Sequence, residues 1–105
     1  MGEQDQLSMG EQRALERLRS AELRPTRQRM ALARCLFSGG ERHVTAEQLH
    51  GEALADGVSV SLATVYNTLH LFTRAGLLRE LIVEAGRSYF DTNTSHHHHF
   101  YFEDG

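Results

Sequence analysis

The hydrophobic residues between Ser59 and Leu78 recur with the spacing of an amphipathic helix. Serines precede the apolar positions and Gly76 follows them, and these are typical signals for the start and the end of a helix. On a helical projection the apolar side chains form one stripe, which we expect to face the core. The stripe consists of Leu62, Val65, Leu69 and Phe72.

The opposite side of this predicted helix carries short hydrogen-bonding side chains and almost no carboxylates. Such a side is typical either of an ordinary solvent-exposed helix or of a helix that enters the major groove of DNA. Both interpretations fit the segment by itself, so the rest of the chain has to decide between them. The outward positions are Thr64, Asn67, Leu71 and Arg74.

Three further helices are predicted before this one. Capping boxes begin helices at Ser8 and at Thr45. Between them, Thr26 follows Pro25 and can cap a helix that ends at Gly39. The inward positions that we expect are Leu15 and Leu18 in the first helix, Met30, Ala33, Leu36 and Phe37 in the second, and Ala46, Leu49 and Ala53 in the third.

After the fourth helix the apolar spacing changes to two, which is the period of a β-strand. Residues 78–84 and 87–91 predict two strands, joined by a turn at Ala85-Gly86. Another turn, Asp56-Gly57, joins the third helix to the fourth. The pattern therefore predicts an α+β fold, a winged helix-turn-helix of about four helices with a two-stranded wing.

The chain divides into three predicted segments. Residues 1–8 are expected to be a flexible N-terminus, and residues 9–93 to form the winged-helix domain. Residues 94–105 contain four consecutive histidines and an aromatic stretch, and we expect a hinge and the start of a further, truncated domain there.

The charge of the chain is unevenly distributed. The net charge is −3, yet residues 13–42 carry eight Arg and three Glu. A basic segment in an acidic chain indicates either an electrostatic contact with nucleic acid or simply an Arg-rich helix surface. The sequence has no apolar run long enough to cross a membrane and no secretory signal at its N-terminus. We therefore expect a cytoplasmic protein that does not enter membranes.

The histidine run, residues 96–99, is the main candidate for chemistry. A purification tag, a solvated loop and a metal or heme site all remain open, because imidazole ligates both metals and heme. In an extended segment His97 and His99 share one face, and His96 and His98 share the other. Together with His43 and Asp91, one pair would form a nitrogen and oxygen site suited to Fe(II), Mn(II) or Zn(II).

The remaining reactive side chains are interpreted conservatively. His50 and His70 fall on predicted helices and are read as ordinary surface residues. Cys35 is the single cysteine, so it is expected to pack as a small hydrophobe and excludes a cysteine-cluster zinc site. No nucleophile elbow, phosphate-binding loop or dinucleotide motif is present, so the sequence does not indicate an enzyme.

Four segments together carry a family resemblance: RPTRQRMALARCLF, RHVTAEQLH, VSLATVYNTLHLFTRAGLL and GRSYFDTNTSHHHHF. In this order and spacing they resemble the ferric uptake regulator (Fur) superfamily. Within it the chain looks most like the iron response regulator (Irr) branch. Asn67 stands where arginine usually follows the tyrosine, HHHH stands in place of HHDH, and the usual Cys-x-x-Cys pair for structural zinc is missing.

The resemblance implies a homodimeric regulator that binds double-stranded promoter DNA of iron homeostasis genes and responds to iron or heme. Tyr66 matches the family's tyrosine that meets thymine in the major groove, and Arg24 matches the basic residue that reaches the minor groove. Only the start of the family's C-terminal dimerisation domain is expected within this chain. The implied DNA contacts are Arg24, Arg27, Ser61, Thr64, Tyr66 and Asn67.

The resemblance also implies a regulatory site for Fe(II), with Mn(II) or Zn(II) possible, or for heme, but no structural zinc held by four cysteines. A different class of function remains open, namely a winged-helix protein-interaction module with a metal- or heme-binding tail. The implied metal ligands are His43, Asp91, His97 and His99, and the implied heme ligands are His96, His97 and His98.

Overall fold

A computed structural model describes residues 8–83 and 86–94 of the chain. Within these residues four helices precede a β-hairpin, and a short strand lies between the second and third helices. The elements are α1 (Met9–Ser20), α2 (Arg27–Phe37), β1 (His43–Val44), α3 (Ala46–Ala55), α4 (Leu62–Arg74), β2 (Arg79–Ile82) and β3 (Ser88–Asp91).

Each of the four helices begins at a hydroxyl side chain that accepts a hydrogen bond from a backbone N–H of the first turn. Ser8 and Thr45 form the two predicted capping boxes, in which Glu11 and Gln48 reach back to the cap backbone. The N-cap of α4 is Ser61. These starts were predictable because capping depends on a few consecutive residues.

Three helices end in the same way, with one residue in the left-handed region. Gly57 follows α3 with φ +82° and Gly76 follows α4 with φ +86°. After α1 the corresponding residue is Glu22, with φ +61°. In each case the next N–H bonds to a carbonyl in the last turn of the helix, as in a Schellman motif. The end of α1 is therefore set before Pro25 is reached.

The three strands form an antiparallel sheet in the order β1-β3-β2. The hairpin of β2 and β3 confirms the predicted wing, although both strands are shorter than the sequence predicted. Strand β1 was missed, because two residues are too few to show a period. It pairs His43 with Asp91 and Val44 with Phe90.

The core lies where the four helices meet the sheet. Val65, Leu69 and Phe72 of α4 are fully buried, as predicted, while Leu62 is only half-buried. Thr68 is also buried, which the apolar pattern could not show. The inward positions of α2 and α3 are largely as predicted: Ala33, Leu36, Phe37, Ala46, Leu49 and Ala53 are buried, and Met30 is half-buried.

One predicted stripe was wrong in detail. Leu18 of α1 is buried, but Ala14 is its buried partner and Leu15 is half-buried. Ala14 and Leu18 are four residues apart and lie on the same side of the helix. Gly10, on the same side, places its Cα close to Ser38, where an added Cβ would come within 2.8 Å of the serine Cβ. A small residue there allows α1 to pack closely on the end of α2.

Several sequence predictions lie wholly or partly outside the described residues: the flexible N-terminus, the turn at Ala85-Gly86 with the end of the strand before it, the histidine run and the start of a further domain. Among residues 8–83 and 86–94, no helix is both long and apolar enough to span a bilayer.

Candidate nucleic-acid interface and metal residues

The outward side of α4 presents an exposed amide at Asn67 and an exposed guanidinium at Arg74. Leu71 is half-buried and packs against the core, so it belongs less to this surface than the helical projection suggested. Within the two described helices α2 and α4, neither first turn carries an acidic residue. The outward side of α4 is therefore polar, and neither α2 nor α4 contributes a carboxylate that would repel a phosphate backbone.

A groove of about 280 Å³ borders the outward side of α4. Another groove, of about 420 Å³, lies beside the α2–β1 connection and does not touch α4. The smaller groove separates the start of α2 from the outward side of α4, with Gln28 and Arg29 facing Asn67 and Leu71. The guanidinium of Arg29 donates to the carbonyl of Arg24, 3.0 Å away, and so holds the segment that precedes α2.

Arg24, in the segment before α2, and Arg27 are both exposed. Arg27 lies in the first turn of α2, whose free N–H groups and positive dipole end favour anions. The structure thus places Arg24 just before α2 and Arg27 in its first turn, at the end of the helix that borders the groove. A phosphate group near the start of α2 would meet the positive end of the helix, whose first turn carries Arg27.

Ser61 and Thr64, the other predicted contacts on α4, already bond to each other. The Ser61 hydroxyl accepts from the Thr64 N–H at 3.1 Å and donates to the Thr64 hydroxyl at 3.0 Å. These bonds cap the helix, so a structural role accounts for both residues. The Thr64 hydroxyl still has its own proton to donate outward.

Tyr66 lies on the flank of α4, and its hydroxyl donates a hydrogen bond to the Glu47 carboxylate, 3.1 Å away. This bond is the main reason that the pKa of the Tyr66 phenol is raised above its usual value. The ring lies against His70, with 6.2 Å between ring centroids. Glu47, which the sequence analysis did not single out, is therefore part of the Tyr66 site.

A groove of about 570 Å³ runs between α4 and the hairpin on the Tyr66 side. Glu47 and Tyr66 line one wall, and Arg87 and Tyr89 of the hairpin line the other. His70 lies in this groove, with its Nε2 atom 3.9 Å from Glu80 and its ring packed on Phe90. It is thus more than the isolated surface residue that the sequence suggested.

His43 and Asp91 are directly paired across β1 and β3. Paired residues of adjacent strands project from the same face of a sheet, so the imidazole and the carboxylate are neighbours. Asp91 also lies opposite Arg79, whose Nη2 atom is 3.9 Å from Asp91 Oδ2, and its Oδ1 accepts from the Asn93 N–H. The two predicted ligands are thus brought together, and imidazole with carboxylate suits Fe(II), Mn(II) or Zn(II).

The described residues contain no group of three or more potential metal ligands. The other predicted ligands, His96 to His99, lie outside the part of the chain that the structure describes. A metal site built on His43 and Asp91 would need ligands from that segment.

Two further reactive side chains have structural roles. The Nε2 atom of His50 lies 2.9 Å from the Val60 carbonyl and so links α3 to the segment before α4. Cys35 is half-buried against the core, as predicted, and burial is the main cause that raises the pKa of its thiol. A thiol with a raised pKa is a weak nucleophile at neutral pH.

A helix-turn-helix formed by α3 and α4, with a hairpin beside α4, defines a winged-helix DNA-binding domain. Residues 20–105 match the model of the Ferric uptake regulator family. The chain belongs to this family. The family consists of transcriptional regulators and not of enzymes.

Among curated relatives, the chain is 38% identical over 86 residues to the peroxide-responsive repressor PerR of Staphylococcus aureus strain Mu50. That match covers 82% of the chain and 57% of the relative, so the chain spans little more than half of the relative's length.

Two solved structures resemble the fold closely. The ferric uptake regulator of Pseudomonas aeruginosa with manganese is 33% identical, with a TM-score of 0.72 over 81% of this chain and 63% of that one. The ferric uptake regulator of Vibrio cholerae is 34% identical, with a TM-score of 0.70 over 79% and 63%.

Proposed function

We propose that this chain is the DNA-binding part of a dimeric, cytoplasmic, metal-responsive transcriptional regulator. The proposal rests on one observation: the outward side of α4, which presents Asn67, lies between two grooves. The start of α2 borders one groove through Thr26, Gln28 and Arg29, and Arg24 and Arg27 are exposed next to these residues in the chain. Tyr66 and Arg87 line the other. In this arrangement α4 enters the major groove while the arginines on either side meet phosphates.

The proposed regulatory site consists of His43, Asp91, His97 and His99, and it takes Fe(II) or Mn(II). The paired positions of His43 and Asp91 support this set, as does the manganese in the name of the Pseudomonas relative. Bound metal would link the winged helix to the segment that follows it. Arg79 and the Asn93 N–H, which now contact Asp91, would then have to share the carboxylate with the metal.

For the signal, we propose iron, sensed either as Fe(II) or as heme bound through His96, His97 or His98. Asn67 after the tyrosine, the unbroken histidine run and the missing cysteine pair support the iron response regulator branch. The similarity to the peroxide-responsive repressor of Staphylococcus aureus favours a second candidate, a regulator of the peroxide response. A titration with hemin tests the heme form of the first candidate, since only a heme-sensing protein shifts the heme absorbance through its histidines.

The test is binding of the full chain to duplex DNA, followed by fluorescence anisotropy at several salt concentrations. We expect affinity to fall steeply with salt, because each phosphate contact releases counterions. Arg27→Ala should weaken binding to every duplex and reduce the salt slope by about one. Arg19→Ala removes the same charge from an exposed site on α1 and should have a smaller effect. Absence of duplex binding at low salt would favour the protein-interaction module instead.

A further inference from the structure

The hydrogen bond between Tyr66 and Glu47 fixes the direction in which the phenol can act. A phenol has one proton, and the Tyr66 hydroxyl gives it to Glu47 across 3.1 Å. An ionised carboxylate has no proton to return, so it can only accept. The lone pairs of the Tyr66 oxygen that remain free can therefore only accept a hydrogen bond from a third group.

Glu47 is well placed to hold this arrangement. It lies in the first turn of α3, where the positive end of the helix dipole favours a carboxylate. The Tyr66 ring also lies against His70, with 6.2 Å between the ring centroids. The phenol thus has two neighbours before any nucleic acid arrives, and it lines the groove between α4 and the hairpin.

We infer that Glu47 is a specificity-determining residue, because it turns the Tyr66 oxygen into a hydrogen-bond acceptor at the DNA surface. The inference rests on the proposed function, in which α4 enters the major groove. There, only adenine and cytosine present amino groups that donate, while thymine O4, guanine O6 and N7 and adenine N7 accept. An acceptor at Tyr66 selects adenine or cytosine at the base that its oxygen meets. The ring itself remains free to pack on the methyl group of an adjacent thymine.

A carboxylate near DNA also repels phosphates, and this repulsion must be separated from its effect on base preference through the Tyr66 hydroxyl. Glu47 is exposed, and its negative charge repels phosphates regardless of sequence. Removal of the charge therefore raises affinity for every duplex alike. Removal of the hydrogen bond changes the preference at one base position only.

Glu80 provides a matched control for the charge. It lines the same groove and carries the same charge, but its partners are Ser88 and His70, not the Tyr66 hydroxyl. Glu80→Gln removes the charge and keeps an oxygen that can accept from Ser88. It should raise affinity uniformly and leave the base preference unchanged.

The experiment is selection from a randomised duplex library by the full chain, followed by sequencing of the bound pool. The unchanged chain should prefer adenine or cytosine at one position, and Glu47→Ala should shift that position towards thymine or guanine by roughly fivefold, the value of one hydrogen bond. Tyr66→Phe and the double variant Glu47→Ala/Tyr66→Phe should give identical profiles at that position, because neither has a hydroxyl to orient.

Three outcomes overturn the inference, and they are distinguishable. If the unchanged chain selects a sequence but Glu47→Ala leaves its base profile the same, Glu47 does not set specificity and the proposed function stands. If the unchanged chain binds no duplex at low salt, the proposed function fails and the inference fails with it. A shift that persists in the Tyr66→Phe background would also overturn the inference, since it would not depend on the phenol.

Discussion

The guanidinium of Arg42 binds both carboxylate oxygens of Glu52, with distances of 3.0 Å from Nη1 and 2.6 Å from Nη2. The same Nη1 atom donates to the carbonyl of Cys35 in α2, 3.1 Å away. The backbone N–H of Arg42 donates to the Thr92 hydroxyl, and the Thr92 N–H donates back to the Arg42 carbonyl. One residue therefore connects α2, α3 and the segment that follows the wing.

Arg42→Ala should lower the free energy of unfolding by about 1 kcal/mol. The fork geometry favours a strong pair, but both side chains are about one-third exposed or more, so solvent screens much of the attraction. Urea denaturation followed by circular dichroism measures the change. Arg19→Ala, on an exposed part of α1, should leave the midpoint nearly unchanged, and an equal loss in both variants would contradict a role for the pair.

Glu22→Gly should stabilise the domain by about 1 kcal/mol, because glycine adopts a positive φ without the steric cost that Glu22 bears at +61°. Gly76→Ala should destabilise by a similar amount, since its φ is +86° although space for a methyl group exists. Gly51→Ala is the control, because it lies inside α3 with open space around it and should stabilise slightly. Thermal unfolding of the three variants measures whether each change stabilises or destabilises the domain. Stabilisation by Gly76→Ala would contradict the requirement for a positive φ at the end of α4.

The raised pKa of the Tyr66 phenol has a measurable consequence. Glu47→Ala should lower this pKa, because the hydrogen bond to Glu47 is the largest cause of the increase. A group whose pKa is raised on folding stabilises the protein below the unfolded pKa, and that stabilisation is lost as pH rises through the folded pKa. For Tyr66 this window lies above about pH 10. Titration of tyrosinate absorbance measures the pKa of Tyr66, and Tyr66→Phe identifies which signal belongs to this phenol. An unchanged Tyr66 pKa in Glu47→Ala would contradict the hydrogen bond between the two residues.

His43→Ala and Asp91→Asn should each remove most of the Mn(II) affinity of the full chain. His43→Ala removes an imidazole ligand, and Asp91→Asn removes the negative charge of a carboxylate ligand, and both groups are suited to Mn(II). Isothermal titration calorimetry measures the loss. His70→Ala is the control, because that imidazole faces Glu80 and not Asp91. Unchanged Mn(II) binding in His43→Ala would place the metal elsewhere.

The sequence predicted the features that depend on neighbouring residues. The hydroxyl caps at Ser8 and Thr45 and the buried stripe of α4 follow from spacing along one element, so they were read correctly. Strand β1 was not predictable, because only its pairing with β3 distinguishes His43–Val44 from a loop.

In the candidate site, too, features set by neighbouring residues were predictable and contacts between distant segments were not. The outward position of Asn67 followed from the helical period, and the grouping of His43 with Asp91 was proposed from their ligand chemistry and implied by the family resemblance. The contact of Tyr66 with Glu47 was invisible, because the two residues are nineteen positions apart and meet only where α3 packs on α4. Likewise, a serine was expected to cap α4, but the sequence did not show that the Ser61 hydroxyl also bonds to the Thr64 hydroxyl.

The most direct measurement of the central claim compares affinities of the unchanged chain and Asn67→Ala for a selected duplex and for its scrambled counterpart. If the outward side of α4 reads bases, Asn67→Ala should reduce the preference for the selected duplex roughly tenfold while affinity for the scrambled duplex changes little. Arg27→Ala, beside the α2 groove, should weaken both duplexes alike. An unchanged preference in Asn67→Ala would contradict the assignment of α4 as the recognition helix.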